Sequence, residues 1–178
     1  MDGVEVGFVE RNLRALDLVT ADIVVGALCE DERPPRGLAG LVDWRLGGRL
    51  SVECQRGFLT GVRGEKFLLP ARPRLPFEKA LIVGLGRRES VDEDTLKASL
   101  ELVLDTLESL RVRRAAAEFP GRHLGAVPMA RAMELLWSAL DERTGTLESL
   151  LVIDDRDAQK VFDAAKARPA RRSLAGRR

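Results

Sequence analysis

One apolar run constrains the fold of this chain more than any other part of its sequence. Residues 80–83 read Ala-Leu-Ile-Val and are followed at once by Gly-Leu-Gly at positions 84–86. A short apolar run that ends in Gly-x-Gly, ahead of a helical pattern, is typical of a strand buried on both faces. Such a strand lies in a sheet that helices cover on both sides, so the run predicts an α/β fold.

The rest of the chain supplies the neighbouring strands and helices. Alternating or continuous apolar residues predict further strands at residues 4–8, 21–28, 66–70, 112–119 and 150–153. Helical spacing predicts helices at 38–46 and 50–56, and others that begin near 90, near 128 and after 155. This alternation predicts one three-layer α/β/α domain over residues 1–168, with a mixed, mostly parallel sheet of about six strands. Residues 169–178, rich in arginine, predict a disordered basic tail.

Three helix starts can be predicted from individual residues. Ser90 and Glu93 have the spacing of a capping box, ahead of the longest apolar face in the chain. Pro128 suits the first turn of the next helix, where its missing N–H costs nothing. Asp154 or Asp155 is expected to cap the final helix.

Composition disfavours several classes of function. A net charge of +1 creates no overall field that would attract nucleic acid or an anionic membrane. Aromatic residues make up only 4% of the chain, which disfavours stacking on single-stranded nucleic acid. No apolar stretch approaches the roughly 18 residues of a membrane helix, and the acidic N-terminus has no signal-peptide pattern. Cys29 and Cys54 are expected to be reduced thiols, so the sequence predicts a cytoplasmic protein.

An ordered series of motifs resembles a known domain. The motifs are RGLAGLVDWRLGGRL at 36–50, the turn-rich stretch 57–64, GEKFLL at 64–69 and KALIVGLG at 79–86. Together they resemble the N-terminal domain of the M17 leucyl aminopeptidases, over about residues 3–165. That domain is similar in fold to macro domains, so the resemblance implies a macro-domain-like α/β fold.

The resemblance also implies that catalysis is missing. The family's two metal ions lie in a separate C-terminal domain, whose signature reads Asn-Thr-Asp-Ala-Glu-Gly-Arg. The one asparagine here, Asn12, is followed by Leu13 and Arg14, so the signature does not occur. The resemblance therefore implies a stand-alone, non-catalytic relative, with no catalytic residues, no metal ligands, no cofactor and no peptidase activity.

A ligand site at the end of the apolar run is an alternative to a plain tight turn. Backbone N–H groups at Gly84 and Gly86, with Arg87 beside them, could bind an anion near the next helix. A dinucleotide fingerprint would need a third glycine where Glu89 stands, and the acidic residues after it would repel phosphate.

The similarity to macro domains extends this candidate site to Asp22. Macro domains carry Asp-x-Ile-Val-Asn-x-x-Asn on an early strand, and Asp22-Ile-Val-Val matches only its beginning. Gly26 and Cys29 stand where the two asparagines would lie. An ADP-ribose or nucleotide ligand therefore stays an open possibility rather than an implication of the resemblance.

Other conspicuous residues receive ordinary interpretations. His123, the single histidine, cannot build a zinc site alone. It lies in a predicted loop between Arg122 and Gly125 and is therefore expected to be solvated. Residues 30–32 are expected to form an acidic surface loop rather than a divalent-ion site. Trp44 and Trp137 are expected to pack in the core or in an interface.

Three hypotheses of function follow. The first is a non-catalytic module that acts through protein–protein contacts, with itself or with a separately encoded catalytic partner. The second is a module that binds a nucleotide or an ADP-ribose derivative at the carboxyl ends of the strands. The third is a nucleic-acid accessory protein that uses the basic tail.

Overall fold

The fold is described from a computed structural model, which describes residues 3–166. The strands are β1 (Glu5–Glu10), β2 (Ile23–Leu28), β3 (Lys66–Pro70), β4 (Lys79–Gly84), β5 (Arg114–Ala117) and β6 (Ser149–Asp154). They form one sheet in the order β1-β6-β5-β2-β4-β3. Neighbours run parallel, except that the edge strand β3 is antiparallel to β4. The predicted mixed, mostly parallel sheet of six strands is confirmed.

Helices cover both faces of this sheet. They are α1 (Leu13–Asp17), α2 (Gly37–Arg45), α3 (Arg49–Gln55), α4 (Glu93–Ser109), α5 (Met129–Asp141) and α6 (Gln159–Lys166). The first three bury residues such as Leu38 and Leu50 in one core, and the last three bury residues such as Leu100 and Phe162 in the other. The three-layer prediction is therefore confirmed.

The apolar run at residues 80–83 lies in strand β4 and faces both cores. Ala80 and Ile82 point into the core beneath α1–α3, while Leu81 and Val83 point into the core beneath α4–α6. Successive side chains of a strand alternate between faces, so a strand covered on both sides must be apolar throughout. The strand lies next to the edge strand β3 rather than at the middle of the sheet.

The capping box predicted for α4 is wrong. Val91 and Asp92 are extended, and α4 is capped by Asp92, whose side chain accepts a 2.8 Å hydrogen bond from the Thr95 N–H. Ser90 instead ends a short 3-10 turn, so no capping box forms with Glu93. Since a side-chain cap must lie directly before the first helical residue, a three-residue spacing alone could not settle which residue does so.

The final helix begins through a 3-10 turn, Arg156–Ala158, that leads into α6. Asp155 is the N-cap residue of that turn, so the predicted position is confirmed, but neither Asp154 nor Asp155 makes a capping bond through its side chain. Both carboxylates pair with arginines instead. Pro128 lies directly before α5, one residue ahead of the predicted first turn.

Several smaller predictions can also be compared with the structure. Cys29 and Cys54 are free thiols, as predicted. Trp137 packs against the core, whereas Trp44 is 74% exposed, so only the interface alternative remains for Trp44. Within residues 3–166 no helix has the length and apolarity to cross a bilayer. The predicted basic tail, 169–178, lies outside the described residues.

Candidate functional site

Charged side chains converge at the edge of the sheet where its parallel strands end. Arg11 directly follows β1, Asp155 follows β6 and Glu118 follows β5. Glu32 lies in the loop after β2, and His123 lies in a short 3-10 turn, Arg122–Leu124, after β5. Open α/β sheets bind ligands at this edge, which makes it the candidate functional site.

His123 lies between two buried carboxylates. Its Nε2 is 3.1 Å from Glu32 Oε2 and its Nδ1 is 3.3 Å from Glu118 Oε2. The side chains of these three residues are 1%, 0% and 0% exposed, respectively. Glu32 Oε2 also accepts a 3.2 Å hydrogen bond from the Cys29 N–H. Because buried charges need partners, the three side chains form one ionic unit, named here the Glu-His-Glu cluster.

Arg11 connects this cluster to the neighbouring strand ends, and Arg122, next to His123 in the chain, bonds the end of β6. Arg11 forms an ion pair with Glu118 and donates 2.7 Å hydrogen bonds to both carboxylate oxygens of Asp155. Arg122 donates from Nε to Asp154 at 2.6 Å. The ends of β1, β5 and β6 are therefore held together by charge-assisted hydrogen bonds.

The first residue of α2 is fitted against the cluster. Gly37 has a φ of +57°, a conformation that favours glycine. A Cβ at this position would lie 2.5 Å from His123 Cβ and 2.8 Å from Glu118 Oε2. The next residue, Leu38, donates its N–H to Glu118 Oε2 at 3.3 Å. Only glycine lets the start of α2 approach the cluster this closely.

The cluster shifts the protonation equilibria of its members. Burial disfavours the imidazolium, but the close carboxylates of Glu118 and Glu32 outweigh burial and raise the pKa of His123 to about 9. Burial would also raise the pKa of Glu32, yet the contact with His123 and the Cys29 N–H lower it. At neutral pH the cluster therefore holds a positive imidazolium beside a negative Glu32 carboxylate.

The candidate anion site at Gly84 and Gly86 has no free backbone donors at its centre. Gly84 N–H donates to the Glu65 carbonyl at 2.9 Å, and Gly86 N–H to the Gly61 carbonyl at 2.9 Å. The amide between them, at Leu85, bonds the Leu28 carbonyl at 3.0 Å. An anion would have to displace these bonds. Ligand binding by Gly84 and Gly86 stays an untested prediction.

The other two predicted ligand residues lie in different surroundings. The Arg87 side chain is exposed and lies 3.8 Å from Glu89. Asp22 precedes β2, at the opposite edge of the sheet from Gly84, and accepts bonds from the N–H groups of Arg113 and Arg114. The structure therefore does not bring Asp22 together with Gly84 and Gly86 in one site.

Two interpretations from the sequence need correction. His123 is enclosed rather than solvated. In the acidic loop, Glu30 and Asp31 are exposed as predicted, but Glu32 is fully buried. His123 and Glu32 lie 91 residues apart, so no local spacing relates them. A partial signal was available, because Glu118 and Asp154 are charged residues at the carboxyl ends of apolar strands, where parallel strands meet.

Buried and paired side chains occupy this edge of the sheet around His123. Both ring nitrogens of His123 face carboxylates, and Arg11 and Gly37 pack against the same cluster. Two cavities in the described part of the chain lie elsewhere and enclose about 160 and 190 Å³. Ligand pockets usually enclose roughly 300–1,000 Å³, so neither cavity has the usual size.

Comparison with known proteins relates this fold to two groups. The model of the cytosol aminopeptidase family, N-terminal domain, matches residues 24–144. A probable cytosol aminopeptidase from Pseudomonas syringae is 30% identical over 153 residues, which cover 86% of this chain and 27% of that protein. The chain thus spans about a quarter of the length of this curated relative.

Solved structures show the same fold. A Trypanosoma brucei macrodomain in complex with ADP is 18% identical with a TM-score of 0.71, covering 92% of this chain and 69% of the macrodomain chain. The same macrodomain in complex with ADP-ribose has a TM-score of 0.69 at 19% identity, with coverages of 92% and 69%. A tomato leucine aminopeptidase mutant is 16% identical with a TM-score of 0.62, covering 93% of this chain and 36% of the plant chain. At these identities the structures establish the macrodomain-like fold alone.

The family match covers more than half of the chain and coincides with the motifs at 36–50 and 79–86. This chain therefore belongs to the cytosol aminopeptidase family, through that family's N-terminal domain.

Proposed function

We propose that this chain is a non-catalytic module of the cytosol aminopeptidase family that acts by binding another protein, in an interaction or regulatory role. The observation that carries this proposal is the buried Glu-His-Glu cluster at the carboxyl ends of the strands. Where open α/β sheets bind small molecules, this chain has buried charged side chains that pair with one another and with Arg11. The outer surfaces of the helices remain available to a partner.

Two observations support the non-catalytic part of the proposal. The family match is to the N-terminal domain alone, and the resemblance assigns catalysis to another domain. Across residues 3–166 no three His, Cys, Asp or Glu side chains are grouped so as to hold a metal ion. A two-metal hydrolase requires such converging ligands.

A capture experiment tests the proposal. The affinity-tagged chain would be incubated with native extract of its source cells, and retained proteins would be identified by mass spectrometry. We expect one or more proteins in stoichiometric yield, with light scattering of the purified chain reporting self-association. Metal-dependent cleavage of aminoacyl substrates by the purified chain would contradict the proposal.

A second candidate function is binding of an ADP-ribose-type ligand. It is favoured by one observation, the similarity to a macrodomain solved with ADP and with ADP-ribose. A ligand at 100 times its dissociation constant stabilises a protein by about 2.7 kcal/mol. A thermal-shift series with ADP and ADP-ribose therefore separates the two functions. We expect no stabilisation, and a clear one would favour the second candidate.

A further inference from the structure

The surface around α2 and α3 differs in charge from the rest of the chain. Residues 33–74 contain nine lysines and arginines but three acidic residues, a net charge of +6 in a chain whose total is +1. Two of those acids, Asp43 and Glu53, are buried. The third, Glu65, accepts hydrogen bonds from the Thr60 and Gly61 N–H groups. The segment is therefore basic overall, although Arg45 pairs with Asp17 and Arg63 donates to Thr95 outside it.

Large apolar side chains are exposed on the same surface. Trp44 at the end of α2 is 74% exposed, and Phe58 just after α3 is 69% exposed. Leu18, 81% exposed, is brought near α2 by the ion pair between Asp17 and Arg45. Ser51 of α3 donates hydrogen bonds to Asp43, next to Trp44, and the Phe58 N–H bonds the Glu53 carbonyl at 3.0 Å. We call this surface the α2–α3 face, and define it by Leu18, Trp44, Arg45, Arg49, Val52, Arg56 and Phe58. Tryptophan and arginine are the residues most enriched in the energetic centres of protein interfaces.

We propose that the α2–α3 face docks a partner protein through a surface that presents carboxylates around an apolar pocket. This inference rests on the proposed interaction function and specifies the chemistry of the partner. Arginine forms bidentate hydrogen bonds with carboxylates, and Arg49 and Arg56 keep about 60% of their side-chain area exposed while sharing Glu53. Trp44 supplies the apolar anchor that such a pocket would enclose.

Charge complementarity distinguishes this partner from a second copy of the chain. Two α2–α3 faces placed together would bring their arginines into repulsion. The opposite side of the molecule is acidic, since α4 carries five acidic residues and one lysine. Contact between the acidic side of one copy and the α2–α3 face of another would be head-to-tail. Such a contact forms a closed ring only at special rotations and otherwise forms an open filament.

Nucleic acid is the less favoured occupant. The whole chain has a net charge of only +1, which gives it no overall field to attract a phosphate backbone. The aliphatic side chains Leu18 and Val52 also add nothing to base stacking. An acidic protein surface with apolar residues satisfies both parts of the face.

A designed probe tests the chemistry directly. The probe is a fluorescently labelled helical peptide of about 18 residues, with leucine on one face and glutamate on the other. The control peptide has lysine in place of glutamate. Anisotropy titrations would use the full chain, and we expect binding of the glutamate peptide only, weakened as salt is raised. Trp44→Ala should weaken it at least about tenfold.

Matched variants test whether peptide binding depends on the α2–α3 face or on charged and apolar side chains elsewhere on the surface. The double variant Arg49→Gln with Arg56→Gln should also weaken binding, whereas Arg87→Gln with Arg88→Gln should not. Val161→Ala removes an exposed apolar side chain on α6 and should bind normally. Thermal unfolding of each variant identifies any that fail to fold, and Trp44→Phe keeps the test available if Trp44→Ala is unstable.

Several results would overturn the inference. Two are equal binding of the two peptides and peptide binding that Trp44→Ala leaves unchanged. Two others are tighter binding of single-stranded DNA that depends on Trp44, and self-association that Trp44→Ala abolishes. A captured partner that the Trp44→Ala chain still retains would refute the docking face but leave the proposed function intact. Capture of no protein would remove the proposed function itself.

Discussion

The Glu-His-Glu cluster predicts an unusual dependence of stability on pH. His123 has a pKa of about 9 in the folded chain, against about 6.5 for an unperturbed histidine. A group whose pKa is raised by folding stabilises the folded state fully below its unfolded pKa. That contribution is lost as the pH rises from about 6.5 through about 9.

The size of the effect follows from the same two values. A difference of about 2.5 pKa units, at 1.36 kcal/mol per unit, amounts to about 3 kcal/mol of unfolding free energy. This would be a large share of the roughly 5–15 kcal/mol that stabilises a typical domain. The His123 side chain is almost fully enclosed, so solvent does little to screen the interaction.

Urea unfolding at a series of pH values measures this contribution. We expect the unfolding free energy of the natural chain to fall by about 3 kcal/mol between pH 6 and pH 9. His123→Gln should be less stable at pH 6 and nearly independent of pH over that interval. Since His123 is the only histidine, no other imidazole contributes to the difference. Parallel pH curves for the two chains would refute the assignment of a buried imidazolium between carboxylates.

Three other changes test individual features of the structure by urea unfolding. Gly37→Ala should lower the unfolding free energy by more than about 2 kcal/mol, because the new Cβ clashes with its neighbours and the φ is unfavourable for alanine. The control Gly125→Ala, also at positive φ but in open space, should lower it by only about 1 kcal/mol. Arg111→Gly should stabilise the chain by up to about 1 kcal/mol, since Arg111 has a φ of +53° at the end of α4, and a loss of stability would contradict this. Asp92→Ala should lower the unfolding free energy by about 1 kcal/mol through loss of the α4 cap, and Ser90→Ala should lower it clearly less. A larger loss for Ser90→Ala would instead support the capping box predicted from the sequence.

The shared fold does not by itself determine what this chain binds. A macrodomain solved in complex with ADP has a TM-score of 0.71 at 18% identity, which establishes the common fold alone. In this chain the ends of β1, β5 and β6 carry Arg11, Glu118 and Asp155, and Arg11 pairs with both acids. Because a ligand site depends on the side chains at such strand ends, a common backbone arrangement does not transfer a ligand.

Most of the fold could be predicted because its signals are local. Strands β2 and β4 are short apolar runs, and a strand enclosed by two layers of helices must be apolar on both faces. The apolar face of α4 repeats at helical spacing and was found in the same way. The first residue of α4 could not be predicted from the sequence, since Ser90, Asp92 and Glu93 are all suitable capping residues until the path of the backbone is known.

The sequence by itself therefore determined the layers, the succession of strands and helices, and the family. Only the tertiary structure decided which charges are buried. Glu32 and His123 lie 91 residues apart, and Arg11 and Glu118 lie 107 apart. They meet because β1, β2 and β5 run parallel in one sheet, so that their carboxyl ends share an edge. Whether a carboxylate is solvated or enclosed depends on that packing, and no local pattern of residues records it.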